Sequence, residues 1–309
     1  MSTLIQVLFP VFLVLSFGYV SVKCGWFTTS GVEGLMTFTQ KFAIPCLLFN
    51  AMATLEISSY FNLNLLISYF IPALFGFILG TLASRIIFKK PWENSIVIGF
   101  CCFYSNALLL GLPIMERAYG PDSLAPNYAL IALNTPFCYA VGIVLMEIVK
   151  GSGKGFSSTV IKATREIFSN ILVISILAGI LVNVLAIKIP NGLVEALGIM
   201  MAAALPAAIF GLGGVLARYK LDADLAPVFV VGAIMLLFQP YLTWTLANYI
   251  DLKEETLRSV ILTSAMAPGL NAYIFANMYG VSKKIAASSI LFCTASSTIT
   301  LWMWLSMMP

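Results

Sequence analysis

The residues of this chain that could do chemistry are neutral, polar and placed beside prolines. Ser105 and Asn106 stand eight and seven residues ahead of Pro113, with Gly111 in between. Asn271 follows the pair Pro268-Gly269, and Asn50 follows Pro45. Asn134 and Thr135 precede Pro136, with Tyr139 just beyond. A proline inside a helix has no N–H to donate and clashes with the carbonyl four residues earlier. Pro113 should therefore free the carbonyl of Leu109, and Pro268 that of Ser264. A half-helix starting at such a break presents unpaired N–H groups and roughly +0.5 of a charge. Two such ends facing each other would attract an anion without a buried lysine. The expected ligand-binding residues are Asn106, Asn271, Asn50, Asn134, Tyr139 and Ser105. The expected break points are Gly111, Pro113, Pro268 and Gly269. The plainer reading of these asparagines, as glue between helices worth about 0.6–2 kcal/mol, stands beside that one.

Other chemistries find little support. Histidine is absent, which removes the usual general base, proton relay and metal ligand. The six cysteines (Cys24, Cys46, Cys101, Cys102, Cys138 and Cys293) are scattered through apolar segments with no CxxC pair and read as small buried hydrophobes. No GxSxG elbow or intramembrane aspartate pair occurs. The expectation is no enzyme, no metal and no cofactor. No Asp, Glu, Lys or Arg falls at the middle of an apolar run, which argues against a carboxylate-based proton pump. Neutral coordination of Na⁺, or drive by the membrane potential, is left.

The elements that must position these residues are set by composition. The 309 residues are 60% hydrophobic and 10% charged, with a mean hydropathy of +0.97. Soluble chains carry roughly 25% charge, so this one is solvated by lipid. The chain reads as an all-α polytopic membrane protein, with spans near 3–22, 39–56, 62–86, 94–116, 127–148, 167–187, 193–216, 226–249, 257–279 and 285–306. Loops after odd-numbered spans hold thirteen lysines and arginines and the other loops hold four. By the positive-inside rule both termini lie outside. The first span is preceded by no cation and reads as a retained span with its N-terminus outside, and the expected location is the plasma (inner) membrane.

A Gly-, Ser- and Lys-rich stretch, 150–166, reads as a cytoplasmic linker between 1–149 and 167–309. The halves repeat. Ala107 to Gly120 sits 160 positions before Ala267 to Gly280, each with Pro and Gly in an apolar run and a Tyr-Gly end, and Pro45 sits 161 before Pro206. A repeat of five spans is odd, so the second copy must enter from the opposite face. Inverted repeats of this kind belong to secondary transporters, whose sites lie where Gly/Pro-interrupted helices break.

SNALLLGLPIMERAYG (Ser105 to Gly120) resembles the fourth-span motif of the auxin efflux carrier family. ALNTPFCYAVGIVLME (Ala132 to Glu147) resembles the span after it, and APGLNAYIFANMYG the ninth. The resemblance runs over essentially the whole chain, with the family's large central loop reduced as in bacterial members. It implies a fold related to bile-acid/sodium symporters, in which spans 1, 2, 6 and 7 form a scaffold and spans 3–5 and 8–10 a transport domain whose fourth and ninth spans are broken and cross. It implies a small organic anion as substrate, auxin in plants and malonate or malate in some bacterial relatives. Asn106, Pro113 and Pro268 would lie at that substrate, with Tyr139 and Asn134 alongside. Where plant members have a serine three residues after the second-span proline, this chain has Leu48, which points away from indole-acetate. The partners are thus an organic anion and the lipid bilayer, with Na⁺ or the membrane potential as driving force, no nucleic acid, and a homodimer left open. A sodium-coupled symporter and a non-transporting membrane sensor or receptor are the alternatives.

Overall fold

The computed structural model of the chain describes residues 2–55, 62–150 and 169–308. Apart from Lys150, the expected linker lies outside them. Every regular element among the described residues is helical. In chain order they begin with α1 (Ser2–Lys23), α2 (Thr29–Phe38), α3 (Ile44–Thr54), α4 (Leu63–Ile86) and α5 (Trp92–Cys101). Next come α6 (Leu112–Tyr119), α7 (Ala125–Lys150), α8 (Ile171–Val184) and α9 (Asn191–Leu216). The chain closes with α10 (Leu225–Ala233), α11 (Gln239–Tyr249), α12 (Glu254–Ser264), α13 (Leu270–Tyr279) and α14 (Lys283–Met307).

Six helices among the described residues are long and apolar enough to cross a membrane: Gln6–Lys23, Leu63–Ile86, Pro121–Lys150, Asn191–Leu216, Leu225–Tyr249 and Lys283–Met307. The remaining expected spans, 39–56, 94–116, 167–187 and 257–279, fall on helices that are short or interrupted. Large apolar side chains such as Ile199, Ile299 and Phe9 cover the outside, as a surface facing hydrocarbon requires.

Prolines account for three of the interruptions. The π-turns Thr39–Ala43, Ala107–Gly111 and Ile234–Phe238 each end two residues before a proline, namely Pro45, Pro113 and Pro240. Widening the turn relieves the clash between the proline ring and the carbonyl four residues back. In the third case that carbonyl belongs to Leu236, and the buried indole N–H of Trp304 donates to it at 2.9 Å. Around the first π-turn the helical run begins ten residues before the expected second span. Helix runs without a break from Thr29 to Thr54, and Lys41 lies within it.

Helix ends are closed by side chains. The side-chain Oδ1 atoms of Asn62 and Asn170 accept from the backbone N–H groups of Leu65 and Leu172 at 2.8 and 2.9 Å. Asn183 Nδ2 reaches across from α8 and donates to the carbonyls of Met52, Ala53 and Leu55 at 3.0, 3.0 and 2.8 Å, capping α3. The two Tyr-Gly pairs close α6 and α13, with Gly120 at φ 88° and Gly280 at φ 79°, a region open to glycine.

Packing falls into neighbourhoods. α1 lies along α9, and α3 lies along α8 and α9. The α1–α9 contact is backbone on backbone. A Cβ at Gly213 would stand 1.9 Å from the Leu15 carbonyl oxygen, and one at Gly18 would stand 2.1 Å from that of Phe210. Without water to drive association, small residues that admit such approach hold membrane helices together. Elsewhere α4 packs on α5 and α11, α10 on α14, α11 on α12, and α7 on α5 and α12.

Candidate functional site

The helical path through α5 and α6 is interrupted at residues 102–106, and that through α12 and α13 at 265–269. The second interruption is where sequence places it, since α12 ends at Ser264, four residues before Pro268. The first is not. Gly111 and Pro113 lie within the helical segment after the gap, where Pro113 widens a turn without ending the helix. The chain leaves helical geometry earlier because residues 102–106 are held by another strand of backbone.

That strand is the second interruption. Ser105 and Pro268 form an antiparallel bridge. The Asn106 N–H donates to the Ala267 carbonyl at 2.8 Å, and the Gly269 N–H donates to the Tyr104 carbonyl at 2.8 Å. Each break thereby satisfies polar backbone of the other, as buried backbone away from water must be satisfied. Gly269 is required for the approach, since a Cβ there would stand 2.9 Å from Tyr104 Cδ1. Phe100 and Phe275 brace the same junction, stacked with ring centroids 4.0 Å apart.

A cavity of about 370 Å³ opens beside this crossing. Of the expected ligand-binding residues, Ser105, Asn106, Asn134, Tyr139 and Asn271 line it, and Asn50 does not. Leu48, on the same helix as Asn50, lines it in its place. Gly269 also lines it, while Gly111, Pro113 and Pro268 do not.

Two hydrogen-bonded chains organise the wall. In the first, Tyr69 donates to Asn134 Oδ1 at 3.2 Å and lies 2.7 Å from Ser105 Oγ. The tyrosine has one proton, so Ser105 is the donor in the shorter contact. The Ser105 hydroxyl is therefore spent on structure, and the Asn134 nitrogen is the donor left on that amide. In the second chain, Tyr139 donates to Asn271 Oδ1 at 3.2 Å, and Asn271 Nδ2 donates to the Tyr104 hydroxyl at 2.7 Å. Tyr104 then has its proton for Thr135 Oγ1, 2.6 Å away. Asn106 joins neither chain. Its side chain is 4% exposed, and Nδ2 has no partner among the described residues. A buried amide nitrogen left unmatched is costly unless something else accepts from it.

Sequence reasoning passed over Tyr104, Tyr69 and Lys41. Tyr104 sits two residues before Asn106 and was legible as a neighbour. Tyr69 lies on a separate helix, and nothing in its flanking residues marks it. Lys41 lines the cavity from the π-turn before Pro45.

The model of the membrane transport protein family matches residues 3–305. The chain belongs to that family. Its match within the family to plant auxin efflux carriers includes auxin efflux carrier component 8 of Arabidopsis thaliana, 20% identical over 340 residues, covering 92% of this chain and 91% of the relative. The Rhizobium meliloti protein named "Putative malonate transporter" is 20% identical over 303 residues, covering 97% and 94%. The lysosomal cholesterol signaling protein of Mus musculus is 24% identical over 336 residues, of which this chain spans 98% of itself and 38% of the relative. The protein is thus a membrane transport protein of the auxin efflux carrier family.

Proposed function

We propose that the protein is a secondary carrier that moves a small organic anion, a carboxylate such as malonate or malate, across the plasma membrane by alternating access. The observation that carries this reading is Asn106, which lines the cavity at the crossing and whose buried Nδ2 has no partner among the described residues. The half-helices that begin at Ala107 and Leu270 have no side-chain caps, so their first N–H groups and their positive dipole ends add to the same attraction. Asn134 and Thr135 supply further neutral donors. The relative named for malonate supports the substrate class.

In this reading the chain crosses the membrane ten times as two inverted repeats of five, 1–149 and 167–309, joined at 150–166 with both termini outside. The close packing of α1 on α9 and of α3 on α8 supports a scaffold of spans 1, 2, 6 and 7. Spans 3–5 and 8–10 then carry the crossing as one body, and a small displacement of that body moves the cavity from one face to the other. Coupling to Na⁺ and assembly as a homodimer are further parts of the reading. Replacing Na⁺ by choline would abolish uptake if the sodium-coupled form holds.

The test is counterflow of labelled malonate and malate into proteoliposomes. Asn106→Ala should abolish counterflow while leaving insertion and thermal unfolding near wild type. Undiminished counterflow in that variant would overturn the site assignment. Saturable binding without counterflow in the wild type would favour a sensor.

A further inference from the structure

Lys41 is the one charged side chain lining the cavity among the described residues. It lies midway along the helical run from Thr29 to Thr54, about 18 Å from either end at the rise of a helix. Its side chain is exposed and lines the cavity together with Gln40 and Asn170. Among the described residues it forms no ion pair, whereas Lys90 and Lys284 pair with Asp224 and Asp222. An unpaired cation on the wall of a cavity otherwise lined by neutral groups attracts an anion there. The local backbone turns it into that position. Lys41 is four residues before Pro45, where the proline ring opens the helix to a π-turn and Ile44 N–H reaches back to the Thr39 carbonyl.

We propose that Lys41 is the counter-charge that selects an anionic substrate on one side of the transport cycle only. The inference rests on the carrier reading above. The crossing, with Asn106 and Asn271, belongs to the body that moves, whereas Lys41 belongs to the helix that packs on α8 and α9 and stays. The cavity that Lys41 lines also includes Asn170, at the start of α8 beside the linker. An anion entering from the linker face meets Lys41 while it settles on the crossing. When the crossing moves, the anion leaves Lys41 behind, so the lysine contributes to binding from the linker face and little from the other. The same asymmetry puts the anion's charge on the moving body without its counter-charge, which makes its transfer electrogenic.

The experiment compares malonate counterflow in right-side-out and everted vesicles carrying wild type, Lys41→Gln or Lys41→Arg. Lys41→Gln should raise the half-saturating malonate concentration about tenfold from the linker face, the scale of one charge-assisted contact. The rise from the opposite face should be several-fold smaller. Lys41→Arg should recover most of the loss, which separates lost charge from lost folding. Equal half-saturation in Lys41→Gln and wild type on both faces, with Asn106→Ala still inactive, would overturn the role of Lys41 and leave the carrier reading standing. An equal rise on both faces would overturn the one-sidedness. Absence of malonate flux in the wild type would overturn the malonate reading and with it a counter-charge for that class of anion.

Discussion

The backbone N–H of Asn106 and the carbonyl of Ala267 lie 2.8 Å apart, although the two residues belong to different halves of the chain. This contact, with its mate between Gly269 and Tyr104, turns two helix interruptions into one junction. Each interruption alone would expose unmatched polar backbone within a membrane. Together they satisfy each other at Asn106–Ala267 and Gly269–Tyr104, beside a cavity.

Gly269→Ala tests the junction. The added Cβ would stand 2.9 Å from the Tyr104 ring and 3.3 Å from the Ser105 carbonyl oxygen. Overpacking of this kind costs about 1–3 kcal/mol. Thermal unfolding in detergent should shift downward, and counterflow should fall further than stability does, because the donors at the crossing are displaced. Wild-type stability with wild-type counterflow would show that the approach of the two breaks is not tight.

Tyr104→Phe removes the hydroxyl that joins Asn271 to Thr135. Asn271 Nδ2 then loses its acceptor and Thr135 its donor. A stability loss of about 1–2 kcal/mol should follow, together with weaker substrate binding, read as a rise in half-saturation larger than any fall in maximal rate. A variant with unaltered half-saturation would place the second hydrogen-bonded chain outside the site.

Asn183→Ala separates stability from transport. Asn183 caps α3 from α8, with three carbonyls in reach of one nitrogen, and stands away from the cavity. Its loss should lower stability by about 1–3 kcal/mol. Half-saturation in counterflow should stay within about twofold of wild type, a shift worth less than half a kcal/mol. A large rise would mean that α3 and α8 shape the site beyond holding the scaffold.

Much of this molecule is legible in its sequence because lipid imposes strong rules. Apolar runs of span length mark helices, Tyr119-Gly120 and Tyr279-Gly280 mark the ends of corresponding segments, and Pro268-Gly269 marks a true break. Asn106, Asn134, Tyr139 and Asn271 are legible as cavity residues because they stand beside breaks or prolines. The errors have a common cause, which is that a proline reports local strain and not its outcome. Pro113 distorts a helix that continues, because its neighbours can still bond in a π-turn. The real break at residues 102–106 is made by pairing with residues 161 to 165 positions away, which no local pattern displays. Asn50 follows Pro45 closely in sequence but stands off the face that Leu48 presents to the cavity.

The most direct test of the central claim is charge movement on a solid-supported membrane. Purified protein in liposomes would be challenged with malonate, malate, succinate, pyruvate and indole-acetate, each with and without Na⁺. The account predicts a saturable current with one or more of the small carboxylates, absent in Asn106→Ala, and no current with indole-acetate. Silence across the panel, with tracer uptake also absent, would contradict it.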